Sequence, residues 1–203
     1  MLAKLMSFLL LGVVRFLTGS QARWYGCPPK AEQRIYFANH QSHADLVMIW
    51  AALPEELRSI TRPIAARDYW TKSDFKRWIT TAVFNAVYVD RERQGDEDPL
   101  QPLIDALQSG DSLIIFPEGT RGHAAEPQAF KAGLYNLALR FPDVVLVPAW
   151  IANVQRVMPK GEVVPVPVLC SVTFGAPIRL EPGEERRAFL DRARAAVIAL
   201  RDV

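Results

Sequence analysis

Short apolar runs alternate along the chain with segments whose apolar residues recur at helical spacing. "RIYFAN" (34–39), "RPIAA" (62–66), "AVYVD" (86–90), "SLIIF" (112–116), "VVLVPAWI" (144–151) and "LCSVTFG" (169–175) have the length and residue types of buried strands. Helical patterns lie between and after them. "ADLVMIWAAL" (44–53) is ended by Pro54, and in "SDFKRWITTAVF" the residues Phe75, Trp78, Ile79, Ala82 and Val83 share one helical face. Pro99 opens a helix over 99–109 that Gly110 and Asp111 end. "QAFKAGLYNLALRF" (128–141) predicts a helix stopping before Pro142, and 183–202 predicts a terminal helix with a charged face. Strands alternating with helices predict an α/β fold: a single domain whose mostly parallel or mixed sheet is covered by helices. No internal repeat or low-complexity segment interrupts it.

The N-terminus departs from this alternation. "MLAKLMSFLLLGVVRFLTGS" is apolar but carries Lys4 and Arg15, and Arg15 breaks the run short of the ~20 residues that a spanning helix needs. No A-x-A cleavage site follows, as a signal peptide would require. Arg23, Lys30 and Arg34 continue the basic character against Glu32 alone. An apolar helix with basic flanks suits the surface of an anionic membrane; a helix packed on the protein's own core is the other reading. The expected division is a membrane-associating segment over 1–30 and a globular domain over 31–203. The segment "DYWTKSDFKRWI" also mixes Trp70, Phe75 and Trp78 with Lys72, Lys76 and Arg77. That suits a headgroup region, or a core-packed helix with a basic outer face.

Composition narrows the function. The 203 residues are 50% hydrophobic and 23% charged, which suits one folded domain. A net charge of +2, without a basic tract or zinc-finger spacing, argues against a nucleic-acid partner. Cys27 and Cys170 form no redox or metal motif, and no metal-ligand cluster is present.

Polar chemistry collects after three of the predicted strands. In "NHQSHAD" (39–45), His40 can serve as a base that Asp45 orients, with His43 as a rival; equally, Ser42-x-x-Asp45 fits a helix-capping box. In "FPEGTRG" (116–122), Gly119 allows close approach to the backbone, exposed amides near Thr120 can bind an anion, and Arg121 can clamp phosphate; an ordinary turn with Glu118 paired to Arg121 is the alternative. In "YVDRER" (88–93), Arg91 and Arg93 can hold a phosphate or simply face solvent, and Lys131 adds a further cation. In an open α/β sheet, ligands bind at the loops following the strands, so three such loops can converge on one edge.

"NHQSHAD", "VYVDR", "FPEGTR" and "LVPAWI" occur in this order over residues 35 to 151. Together they resemble the four blocks of the glycerolipid acyltransferase family, and "AARDYW" resembles the stretch that follows the first block. The resemblance implies transfer of a fatty acyl group from a thioester to the hydroxyl of 1-acylglycerol-3-phosphate. His40 would be the general base and Asp45 its orienting partner. Arg91 and Arg121 would hold the acceptor phosphate, beside the further contact that Lys131 offers. Glu118, Gly119 and Thr120 would shape that pocket, Glu118 touching the acceptor glycerol, while Val147 and Pro148 would line the acyl or acceptor site. His43 departs from the family, which often has an aromatic residue there. The implied partners are a lysophospholipid acceptor, acyl-CoA or acyl carrier protein as co-substrate, and a membrane surface. No cofactor or metal is expected, and the implied location is the cytoplasmic face of the inner membrane, peripheral or monotopic. Another lysophospholipid or an aminolipid as acceptor, or a non-catalytic lipid-binding protein of the same fold, would use the same residues.

Overall fold

The computed structural model describes residues 2–19, 21–42, 44–90, 98–122, 124, 126–153 and 169–203. Its strands are β1 (Gln21–Trp24), β2 (Arg34–Ala38), β3 (Thr61–Ala66), β4 (Val87–Val89), β5 (Ser112–Ile115), β6 (Val145–Ala152) and β7 (Ser171–Phe174). They form one seven-stranded sheet in the order β1-β7-β6-β2-β5-β3-β4. The pairs from β6 across to β4 are parallel, β7 runs antiparallel to β6, and β1 follows β7 in parallel.

Strand β2 is buried along its whole length, as a central parallel strand covered on both faces must be. Its side chains alternate between two apolar layers. Tyr36 and Ala38 enter one layer, which holds Met48, Ile49 and Trp50 of α2 (Asp45–Ala52) together with Leu10, Leu11 and Val14 of α1 (Leu2–Thr18). Ile35 and Phe37 enter the other layer. That second layer is closed by α6 (Gln101–Gln108), α7 (Gly133–Arg140) and α8 (Arg186–Ile198), through Leu103, Leu137 and Phe189 among others. The remaining helices are short: α3 (Glu55–Ser59), α4 (Arg67–Trp70) and α5 (Asp74–Trp78). The α/β sheet covered by helices is as the pattern predicts.

Four local features differ from the sequence expectations. First, β1 lies within the first thirty residues yet is hydrogen-bonded into the sheet, so a boundary at residue 30 would cut a strand from its partner. Its exposed, mixed residues carry no alternation that would mark it. Second, the helix expected from residue 128 begins at Gly133. The amides of Gln128 and Lys131 are instead given to Glu118 and to the Pro117 carbonyl, which hold that stretch as a loop. Third, the helix over 74–84 changes at Ile79 into a π-helical turn, Ile79–Val83. The Thr80 hydroxyl donates back to the Lys76 carbonyl and meets the Tyr88 hydroxyl, which unseats the regular ladder there. Fourth, α1 packs on the core along one side only. Leu10, Leu11 and Val14 pack on the core, whereas Leu2, Leu5, Leu9, Val13 and Phe16 form an outward stripe, with Phe16 87% exposed.

Candidate active site

After β2 the chain steps to β3 and β4, returns to insert β5 beside β2, and then places β6 on β2's other side. The order therefore reverses at β2 and β5, and their carboxyl ends flank the crevice where open α/β sheets take ligands. A cavity of about 530 Å³ opens there, bordered by His40, Asp90, Thr120, Arg121 and Lys131. Its floor is apolar, with Ile64, Val89 and Ile115 from the sheet and Leu103, Leu134 and Leu137 from α6 and α7.

His40 and Asp45 are brought together. His40 Nδ1 lies 2.9 Å from Asp45 Oδ2. The aspartate side chain is 1% exposed and the histidine 20%. An ionised carboxylate only accepts, so Nδ1 carries the proton and Nε2 presents its lone pair. Nε2 has no hydrogen-bond partner among the described residues. The imidazole also stacks on Phe116, centroids 4.3 Å apart and planes 17° from parallel. Asp45 and Phe116 thus fix the ring from its edge and its face.

The capping reading needs correction. Asp45 Oδ2 does reach back to the amides of Gln41 and Ser42, at 2.6 and 2.8 Å. Ser42 Oγ, however, accepts from Ala44 N at 3.2 Å, and the residue preceding α2 is Ala44, with no side-chain cap bond. Ser42 therefore tightens the turn and does not cap the helix.

The second loop follows β5. Gly119 has φ +70°, and an added Cβ would lie 2.6 Å from Lys131 Nζ, so glycine lets the lysine fold over the backbone. Thr120, Arg121 and Lys131 are exposed at the cavity, and neither cation is paired to a carboxylate among the described residues. That leaves two positive charges for an anion. Glu118 is placed otherwise than expected. It is 2% exposed, does not border the cavity, and has its oxygens on His40 N (2.7 Å) and Gln128 N (2.8 Å). It pairs with neither Arg121 nor Lys131. Pro148 is not brought to the cavity either: it is paired with Phe37 in the ladder and packs against Gly175. Val147 is fully buried in the core beneath β6. Arg91, Arg93 and His43 lie outside the described residues. Asp90, just before Arg91, accepts from Arg67 Nε at 3.1 Å.

Two groups that sequence reasoning passed over complete the site. Asn39 Oδ1 accepts from Ile151 N (2.8 Å) and Nδ2 donates to Ile151 O (3.1 Å), a side chain imitating a peptide between β2 and β6. A polar residue ending the apolar run Ile35–Ala38 was its signal. The apolar floor had none, since Leu100, Leu103 and Leu137 look like ordinary helix core residues.

A crevice at the carboxyl edge of a mostly parallel sheet, cationic at its rim and apolar beneath, belongs to an α/β enzyme. Residues 27–152 match the family model described as Acyltransferase, and the chain belongs to that family of glycerolipid O-acyltransferases. It is 28% identical over 200 residues to human 1-acyl-sn-glycerol-3-phosphate acyltransferase alpha (Homo sapiens), an alignment covering 95% of this chain and 68% of that protein. The counterpart from Mus musculus is 30% identical over 160 residues, 76% of this chain and 53% of that one. Taffazin of Dictyostelium discoideum is 30% identical over 145 residues, 66% and 49% of the two chains. Among solved structures, the 1-acyl-sn-glycerophosphate (LPA) acyltransferase PlsC from Thermotoga maritima superposes with a TM-score of 0.69. It is 22% identical, covering 98% of this chain and 86% of that chain, and so shares the fold.

Proposed function

We propose that this acyltransferase esterifies 1-acylglycerol-3-phosphate with a fatty acyl group taken from acyl-CoA or acyl carrier protein, a step of phospholipid biosynthesis. The observation that carries the reading is the His40–Asp45 pair, at 2.9 Å, on the wall of a cavity whose rim holds Arg121 and Lys131. The curated relatives named for this acceptor supply the substrate.

The acceptor phosphate lies between Arg121 and Lys131, with Arg91 as a third cation and Gly119 and Thr120 leaving room for it. His40 Nε2 takes the acceptor's hydroxyl proton as that oxygen attacks the thioester carbonyl. A C–O bond forms, the C–S bond breaks, and the leaving thiolate receives the proton back. Asp45 keeps Nδ1 protonated and stabilises the imidazolium while it exists. Both substrates carry acyl chains, and the apolar floor faces the same cavity.

The enzyme works at a bilayer surface, at the cytoplasmic face of the inner membrane. The outward stripe of α1 is flanked by exposed Lys4 and Arg15, and Phe75 of α5 is exposed as well. No helix among the described residues is long and apolar enough to cross a membrane. The exposed apolar stripe with its basic flanks supports a peripheral or monotopic seat on anionic lipid.

Mass spectrometry of lipid products, after incubation with mixed thioester donors and lysophospholipid acceptors, tests the whole reading. Phosphatidate should be the main product. His40→Ala and Asp45→Asn should each lower turnover by roughly 100- to 10,000-fold while the protein stays folded. Arg121→Ala should raise KM for phosphate-bearing acceptors, by about tenfold or more, and leave KM for the donor alone. Full turnover in His40→Ala removes the base. An equal loss with phosphate-free acceptors in Arg121→Ala removes the clamp.

A further inference from the structure

Glu118 presents a physical puzzle. It is a carboxylate at 2% exposure, with no cation paired to it among the described residues. Burying such a group is unfavourable unless hydrogen bonds compensate. Here each oxygen takes one backbone amide: Oε1 accepts from His40 N at 2.7 Å and Oε2 from Gln128 N at 2.8 Å. On the other side of the same peptide stretch, His40 O accepts from Gly122 N at 2.8 Å. Glycine at 122 also spares the carboxylate a tight contact, because an added Cβ would sit 3.2 Å from Glu118 Oε2. One residue earlier, Asn39 is tied to Ile151 by two bonds. The backbone that carries His40 is therefore clamped at its amide, at its carbonyl and at the preceding side chain.

We infer that Glu118 is a positioning residue for His40 and not a ligand of the acceptor. The inference rests on the reading of His40 as the base. The imidazole itself is already fixed by Asp45 and Phe116, so its remaining freedom is movement of the turn as a body. Glu118 and Gly122 remove that freedom, and they are delivered by the same loop that brings Thr120 and Arg121 to the cavity. The cationic loop and the base are thus set relative to one another by a carboxylate buried between them. A base must lie within about 2.6–3.2 Å of the proton it takes. A displacement of ~1 Å can cost on the order of 100-fold.

Glu118→Gln tests this. The amide keeps the shape of the carboxylate, and its oxygen can serve one of the two backbone amides. Its NH₂ then faces the other amide, donor against donor. With the protein folded, kcat per active site should fall about 100-fold while KM for the lysophosphatidate acceptor stays within about threefold. Hydrogen exchange should show protection lost locally at the His40 and Gln128 amides. A rise of about tenfold or more in acceptor KM with kcat retained would instead make Glu118 an acceptor ligand, and unchanged kinetics would remove any role. Turnover by His40→Ala is measured alongside: activity there overturns the base itself, whereas an inactive His40→Ala beside a fully active Glu118→Gln overturns only the clamp.

The wild-type enzyme gives a second test, independent of whether the variant folds. The His40 and Gln128 amides should be protected in the free enzyme, and saturation with lysophosphatidate in the absence of donor should leave them so. An acceptor that drew the carboxylate away would speed their exchange by about tenfold or more, and the clamp would be wrong.

Discussion

Asp45 Oδ2 is the acceptor of three hydrogen bonds, from His40 Nδ1, Gln41 N and Ser42 N. One oxygen closes the turn and orients the imidazole, so folding the loop and setting the proposed base are a single event. Its charge reaches further. The Cys170 thiol is pushed up to about 11, first by burial and then by Asp45. Burial also raises the Cys27 thiol, against the lowering effect of Arg34. Both groups then remain thiols at pH 8, and only the thiolate reacts. Neither cysteine should be alkylated by maleimide at pH 8 in the native protein, and both should be in denaturant. Native labelling followed by peptide mapping checks this, and rapid native modification of Cys170 would contradict its placement. At this scale the sequence was informative where chemistry depends on spacing, as for His40 and Asp45. It was silent on direction. Nothing in "FPEGTR" distinguishes a glutamate facing the cavity from one facing the backbone behind it. Ser42 matched a capping pattern, but its short hydroxyl reached the nearest free amide, that of Ala44.

Helix α1 carries apolar residues on nearly every side, and its two faces part company only when α2 and the Ile79–Val83 turn are present to cover one of them. Phe8 and Phe16, 73% and 87% exposed, head the uncovered side. Each phenylalanine moved from water into a bilayer interface is worth up to roughly 2 kcal/mol. The double substitution Phe8→Glu, Phe16→Glu should therefore weaken partition onto anionic vesicles by at least about tenfold, as read by flotation. Melting temperature should hardly change, because neither ring supports the core. Retention of full binding would place the membrane contact elsewhere. Elements were legible where apolar period and punctuation agreed, as for α2 before Pro54 or α6 before Gly110. They failed where a tertiary partner claimed the backbone. Residues 128–132 have a helical pattern, yet Glu118 and Pro117 take their amides. Residues 79–83 keep their helical character but as a π turn, beside which the Thr80 hydroxyl bonds to the Lys76 carbonyl and meets Tyr88.

At the scale of the whole molecule, the sheet order decides whether three polar loops make one site, and no local pattern encodes that order. Alternating strands and helices imply a parallel sheet and place every loop that follows a strand at the same edge. Only the insertion of β5 between β2 and β3 sets "FPEGTR" against "NHQSHAD". The outermost strand was likewise invisible, since β1 exists only because β7 is there to pair with it. Removing residues 1–30 would strip α1 and also leave β7 as a bare edge, which invites association between chains. That truncation should lower the melting temperature and yield aggregates on gel filtration. A monomer of unchanged stability would show that β1 contributes nothing. The pairing has a mechanical meaning too. Gln21 is level with Ser171, and Ser171 with Ala152, so α1 joins the sheet at the edge that bears the cavity. On the proposed membrane seat, a helix laid on lipid and continued into a sheet strand would act as a keel, setting the enzyme's draught in the bilayer and the angle at which its mouth meets the lipid.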